Sequence, residues 1–208
     1  LLGALLTLAM QPAVASDGAS PWTVRVRALH IHPASKSDAI PSLAVPTDSI
    51  SASKKWAPDI DIEYAFNEKV SAELLLTVPQ QHTVTVRESV LGGPVNIGTF
   101  RHLPPTLTVK YRPLGSATLS PYVGVGLNYT VIWDARLAVP TVGSLRLDQS
   151  SFGLAWQVGA DYQLDDHWSA SVDLKYVKIG SDVKLGATRV SHVNVDPVLV
   201  AFGAGYRF

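Results

Sequence analysis

The chain has 208 residues, with 17 basic and 17 acidic side chains, only 16% of its residues charged, and no cysteine. That length fits one domain. A formal net charge of zero argues against a nucleic-acid binder, which needs a basic face, and the absence of cysteine excludes disulfides and thiolate metal sites.

Residues 1–10 are almost wholly apolar, and Ala13-Val14-Ala15 follows as a small-x-small pattern. This is the apolar core and cleavage site of a secretory signal, so 1–15 are read as a signal peptide truncated at its start. The domain is then 16–208. The first run is too short to cross a bilayer as a helix, and no later run reaches the ~18 residues that a helix needs. If this exported chain enters a membrane, it does so as strands.

The pattern from there on has a period of two. Strand one is predicted at about 22 to 31, with Trp22, Val24, Val26 and Ala28 on one face and Arg25 and Arg27 on the other. A Ser- and Pro-rich loop follows to about 53. Strand two, about 56 to 66, sets Ile60, Ile62 and Tyr64 against Asp59, Asp61 and Glu63. Asn67-Glu68 predicts a tight turn. Strand three, about 69 to 78, sets Val70, Leu74 and Leu76 against Ser71 and Glu73. A long segment runs from 79 to 101, and Thr83-Val84-Thr85-Val86 within it can extend the hairpin upward.

Strand four, about 103 to 112, opposes Leu107, Val109 and Tyr111 to Thr108, Lys110 and Arg112. After a shorter turn, strand five is predicted at about 122 to 133, with glycines 124 and 126 on its mixed face. A loop covers 134 to 149. Strand six, about 152 to 162, carries Phe152, Trp156 and Tyr162 on its oily face and Gln157 and Asp161 opposite. Asp165-Asp166-His167 turns the chain into strand seven, about 168 to 179, which carries Asp173 and Lys175 on its mixed face. A fourth long loop precedes the last strand. There Val198, Val200, Phe202, Tyr206 and Phe208 form the oily face, and Gly203, Gly205 and Arg207 the other.

Eight strands result, all-β, with long connections after one, three, five and seven and short ones after two, four and six. That is the plan of an eight-stranded antiparallel transmembrane barrel with short periplasmic turns and long extracellular loops. A soluble, lipocalin-like barrel has the same periodicity with the oily face turned inward. Aromatics at the ends of the oily faces (Trp22, Phe66, Trp133, Phe152, Tyr162, Trp168, Phe208) and glycines on the mixed faces favour the membrane form.

His102-Leu-Pro-Pro-Thr-Leu107, Pro121-Tyr-Val-Gly-Val-Gly-Leu-Asn-Tyr-Thr130, Gln157-Val-Gly-Ala-Asp-Tyr162 and the Gly205-Tyr-Arg-Phe208 ending resemble the OmpW family of outer-membrane proteins. Glu73-Leu-Leu-Leu76, followed by Pro79 and His82, resembles the same family's third strand. The resemblance implies location in the bacterial outer membrane and a narrow channel for small hydrophobic molecules, with a sideways exit into the membrane. Outer-membrane lipid and the barrel-assembly machinery, acting on the C-terminal strand, are the implied partners.

Three sets of candidate site residues follow. Arg25, Arg27, Lys110, Arg112, Lys175 and Arg207 supply six inward cations, and Asp59, Asp61, Glu63, Glu73, Asp161 and Asp173 six anions. An eight-stranded interior is just wide enough for side chains to fill it. Opposite charges there should pair into a plug, since unpaired buried charge is costly; a water-filled ion path is the alternative. Leu29, Ile31, Leu75 and Leu103 are candidates for an apolar pocket nearer the long-loop end. Pro104 and Pro105 weaken strand four, because proline cannot donate to a ladder, and are the lateral-exit candidates. His30 and His32 share a face without an evident third ligand, so no metal or other cofactor is expected. No motif sets a nucleophile beside a base, so an enzyme is not expected. A structural or adhesive barrel without transport stays open beside the channel.

Overall fold

The computed structural model describes residues 20–208 except 35, 42, 43, 90, 91, 140–142 and 187. The expected signal segment, 1–15, lies outside these residues. Strands one to eight of the wall are Trp22–His32, Lys55–Ala65, Val70–Thr77, Thr106–Tyr111, Leu119–Val139, Ser150–Gln163, Trp168–Val177 and Val198–Arg207. Each pairs antiparallel with its neighbours in sequence, and strand eight closes on strand one from Thr23↔Arg207 to His32↔Val198.

The direction of the side chains decides between the two barrel readings. Lys110 and Lys175 are fully buried, while Leu107 and Val125 are 53% and 54% exposed. A soluble barrel would invert that pattern. Here the period of two places charge inside and oil outside, which suits a wall surrounded by lipid.

Short turns are closed locally by side chains. Asn67 Oδ1 accepts the N–H groups of Lys69 and Val70, both at 2.9 Å. Asp165 Oδ1 accepts those of His167 and Trp168 at 2.8 and 2.7 Å. Such bonds from a short acceptor to the backbone just ahead fix a tight turn. Aromatics gather at this end in edge-on pairs, Trp22 with Tyr64 at 4.9 Å and Trp168 with Tyr206 at 5.1 Å. Phe66 and Phe208 extend the same chains of rings.

The long-loop end departs from expectation. Much of the predicted loop sequence is strand. Gln80–Val86 pairs with Val95–Leu103, and Gly180–Leu185 with Thr188–Asn194. Strand five runs six residues past Trp133 to Val139 and turns back onto Gly143–Leu147. Alternation continues through these segments with fewer apolar residues, so their composition reads as loop. Their inward residues, with Ile50 from the short strand Ile50–Ala52 that pairs at Val86, form an apolar cluster of their own, including Val84, Ile97, Leu137 and Val183. That burial supports the hairpins above the wall.

Candidate functional site

The lower lumen is a continuous ion-paired layer. Strand register sets Arg25 opposite Asp61 and Arg27 opposite Asp59. Arg25 reaches Asp61 at 3.2 Å and Asp161 at 2.9 Å, and also bonds Glu63. Arg27 lies 3.1 Å from Asp59 and 2.7 Å from Asp61. Glu73 gathers Lys110 and Lys175, each at 2.9 Å, and Gln157 at 3.0 Å. Those four residues come from strands three, four, seven and six, so the contacts run across the lumen. Arg112 lies 2.7 Å from Glu63 and 3.0 Å from Asp161.

Two placements correct the expected set. Arg207 stands apart from the layer. It occupies the last inward position at the short-turn rim, and its Nε donates to the Ser20 carbonyl at 3.1 Å. The layer therefore holds Arg25, Arg27, Lys110, Arg112 and Lys175 against six carboxylates. Asp173 is the carboxylate held by neutral donors, Tyr122 Oη at 2.9 Å and Gln157 Nε2 at 2.7 Å. Tyr122 also lies under the Lys110 ammonium, 3.7 Å from ring centre to nitrogen. Tyr122 and Gln157 were not singled out as site residues. Their signal was a polar tip among small inward neighbours.

Above this layer the lumen is apolar on one side. Leu29 and Ile31 pack with Ala57, Ala155, Val177, Ile179, Leu199 and Ala201. Leu75 is also buried and inward. Leu103 is not: it shares the parity of Leu107 and Val109 and lies half-buried on the outer face. Alternation counted back from Leu107 places it there, and this corrects its assignment to the pocket. The opposite inner side is polar, with Gln80, His82, His102, Thr106, Asn128 and Thr130 all buried. His30 and His32 share the outer face of strand one, with His30 against Trp56 at 4.6 Å.

The wall is broken at this height. Strands three and four pair from Val70↔Tyr111 up to Leu75↔Thr106. Pairing resumes only at Gln80↔His102, one residue out of step. No ladder pair joins 76–79 to 103–105. Both sides of this gap carry proline: Pro79 on one, Pro104 and Pro105 on the other. The Pro105 carbonyl faces strand five, where it accepts from Tyr129 N at 3.1 Å. By the alternation of the ladder, the Pro104 nitrogen faces strand three, and it has no hydrogen to give. Side chains reach the carbonyls around the gap: Asn128 Nδ2 donates to that of Pro104 at 3.2 Å and adds a second bond to that of Pro105 at 3.1 Å, and Gln80 Nε2 donates to that of Val78 at 2.6 Å. Pro79, Gln80 and Asn128 thus join the two expected prolines, and only the register exposes them.

A closed eight-stranded wall, oily outside and ion-paired inside, defines an outer-membrane β-barrel. The chain belongs to the OmpW family, whose model matches residues 19–208. It is 35% identical to outer membrane protein W of Vibrio cholerae over 158 residues, 72% of each chain. It is 28% identical to the dibenzothiophene metabolism operon protein PahQ of Pseudomonas aeruginosa over 193 residues, 91% of this chain and 89% of that one. Among solved structures it is similar to the outer membrane protein OprG from Pseudomonas aeruginosa, with a TM-score of 0.76 and 28% identity over 91% of this chain and 97% of that one. The protein is an outer-membrane protein, with its short turns periplasmic and its long hairpins outside.

Proposed function

We propose that the barrel takes small apolar molecules into its upper lumen and releases them sideways into the outer leaflet. The observation that carries this reading is the break between 76–79 and 103–105, set directly above the ion-paired layer. A solute coming from outside meets Leu29, Ile31 and Leu75 and then charge packed across the lumen. An apolar molecule gains nothing by crossing that layer, since it would displace paired charges. A wall without ladder bonds is the cheaper way out. One relative is named for an operon of dibenzothiophene metabolism, and dibenzothiophene is an apolar polycycle of the kind such a path suits. Outer-membrane lipid is then the receiving phase. The closing strand, ending in Tyr206-Arg207-Phe208, is the segment that the barrel-assembly machinery would engage.

The test is uptake of naphthalene by lipid vesicles with and without the protein, read by fluorescence, alongside ionic conductance in planar bilayers. The reading expects faster uptake with little conductance. Unchanged uptake with a large steady conductance would replace it with a simple water-filled pore.

A further inference from the structure

Two histidines at the edge of the wall break have nitrogens with no hydrogen-bond partner among the described residues. His82 and His102 are 1% and 4% exposed. Both face the lumen, and the Nε2 atom of each is buried without a hydrogen bond among the described residues. The rings lie 4.9 Å apart, and Phe100 stands beside both, at 5.7 Å from His82 and 5.8 Å from His102. His102 is the last inward residue before Pro104, and its ladder partner Gln80 is the first residue after Pro79. A buried polar group left without a partner costs stability, so the pair is a feature that packing alone does not account for.

The tautomers define what the pair can hold. His82 Nδ1 lies 2.6 Å from the Ser53 carbonyl, which can only accept, so Nδ1 carries the hydrogen. Neither ring is bonded to a carboxylate among the described residues, and a buried imidazolium without one is costly. His82 is then neutral, and its Nε2 presents a lone pair. Among the described residues no hydrogen bond fixes the tautomer of His102, so its Nε2 can carry the hydrogen. One acceptor and one donor on rings 4.9 Å apart match a single hydroxyl group, which gives one hydrogen and takes one. A divalent metal would want a third ligand, and no group of three His, Cys, Asp or Glu side chains placed to hold one occurs among the described residues.

We propose that His82 and His102 form a hydroxyl-reading subsite at the lateral exit, selecting phenols and small alcohols over the bare hydrocarbons of the same shape. This rests on the upper-lumen path proposed above. The ligand's ring lies against Phe100 and the apolar wall, its O–H donates to His82 Nε2, and its oxygen accepts from His102 Nε2–H.

The probes are 1-naphthol and naphthalene, which differ by one hydroxyl. The protein, with its histidines labelled with nitrogen-15, is placed in lipid nanodiscs and titrated with each. 1-Naphthol should shift the ring resonances of His82 and His102 saturably, and naphthalene should leave them in place. His102→Phe should weaken 1-naphthol binding about tenfold, the worth of one or two hydrogen bonds, and leave naphthalene binding unchanged. If His102→Phe fails to insert, the ring shifts of the unaltered protein decide alone. Unmoved ring resonances with 1-naphthol, or equal affinity for the two probes after correction for partition into lipid, would overturn the subsite and leave the channel standing. Failure of both probes to bind or be taken up would overturn the subsite and the channel together.

Discussion

Glu63 and Glu73 face each other directly across strands two and three, and the Lys110 ammonium lies 2.9 Å from a carboxylate oxygen of each. Like charges directly opposed destabilise a sheet, and both are buried here. Lys110 therefore holds the layer together at its most loaded point. Lys110→Met keeps the length and removes the charge. It should lower unfolding stability in lipid vesicles by about 3–5 kcal/mol, the usual cost of leaving buried charge unpaired. Adding Glu73→Gln should recover part of that loss, as a coupled pair does in a double-mutant cycle. A Lys110→Met barrel as stable as the unaltered one would contradict the layer.

The two faces should respond oppositely to size and charge. Leu74 and Val125 are exposed on the outer wall. Arginine at either should cost about 2–4 kcal/mol in a bilayer, most near the midplane. Gly126 is limited by space instead. A Cβ there would lie 2.1 Å from the Leu107 carbonyl oxygen and 2.5 Å from Thr108 Cγ2. Gly126→Ala should cost about 1–3 kcal/mol as overpacking, in detergent as in lipid. Urea titration in both media separates the two effects.

Orientation follows from the alternation of connections. Ser144 is exposed in the strand Gly143–Leu147, where it pairs with Ala138 of strand five at the long-loop end. A cysteine or peptide tag there should be labelled on intact cells. Labelling that appears only after the outer membrane is opened would invert the barrel.

The wall was legible because its chemistry has one period. Val123, Val125 and Leu127 alternate with glycines and Asn128, and nothing interrupts them until the loops. The charged layer was legible for the same reason, as each cation fell on the face of each carboxylate. What the chain hides is register. Leu103 looked like a pocket residue because it is apolar near the long-loop end; its parity with Leu107 turns it outward. Arg207 looked like a sixth partner because it shares the inner face, but height separates it from the layer. The break was half legible. Pro104-Pro105 announces a missing donor, but the one-residue slip that leaves 76–79 without a ladder pair to 103–105 exists only in the pairing of two distant segments. The hairpins above the wall are legible only in part: Thr83-Val84-Thr85-Val86 marks one, while the others carry sparse apolar residues that bury against one another.

A solute that leaves through the gap whose missing donor is Pro104 should be slowed when that donor is restored. Pro104→Ala returns an N–H facing strand three and leaves the ion-paired layer untouched. The most direct measurement is the initial rate of naphthalene uptake by vesicles carrying this variant, set beside its ionic conductance. Uptake should be several-fold slower than through the unaltered protein, with conductance equally low in both. Uptake at an unchanged rate, in a variant whose amide exchange shows the ladder between strands three and four restored, would contradict a sideways exit.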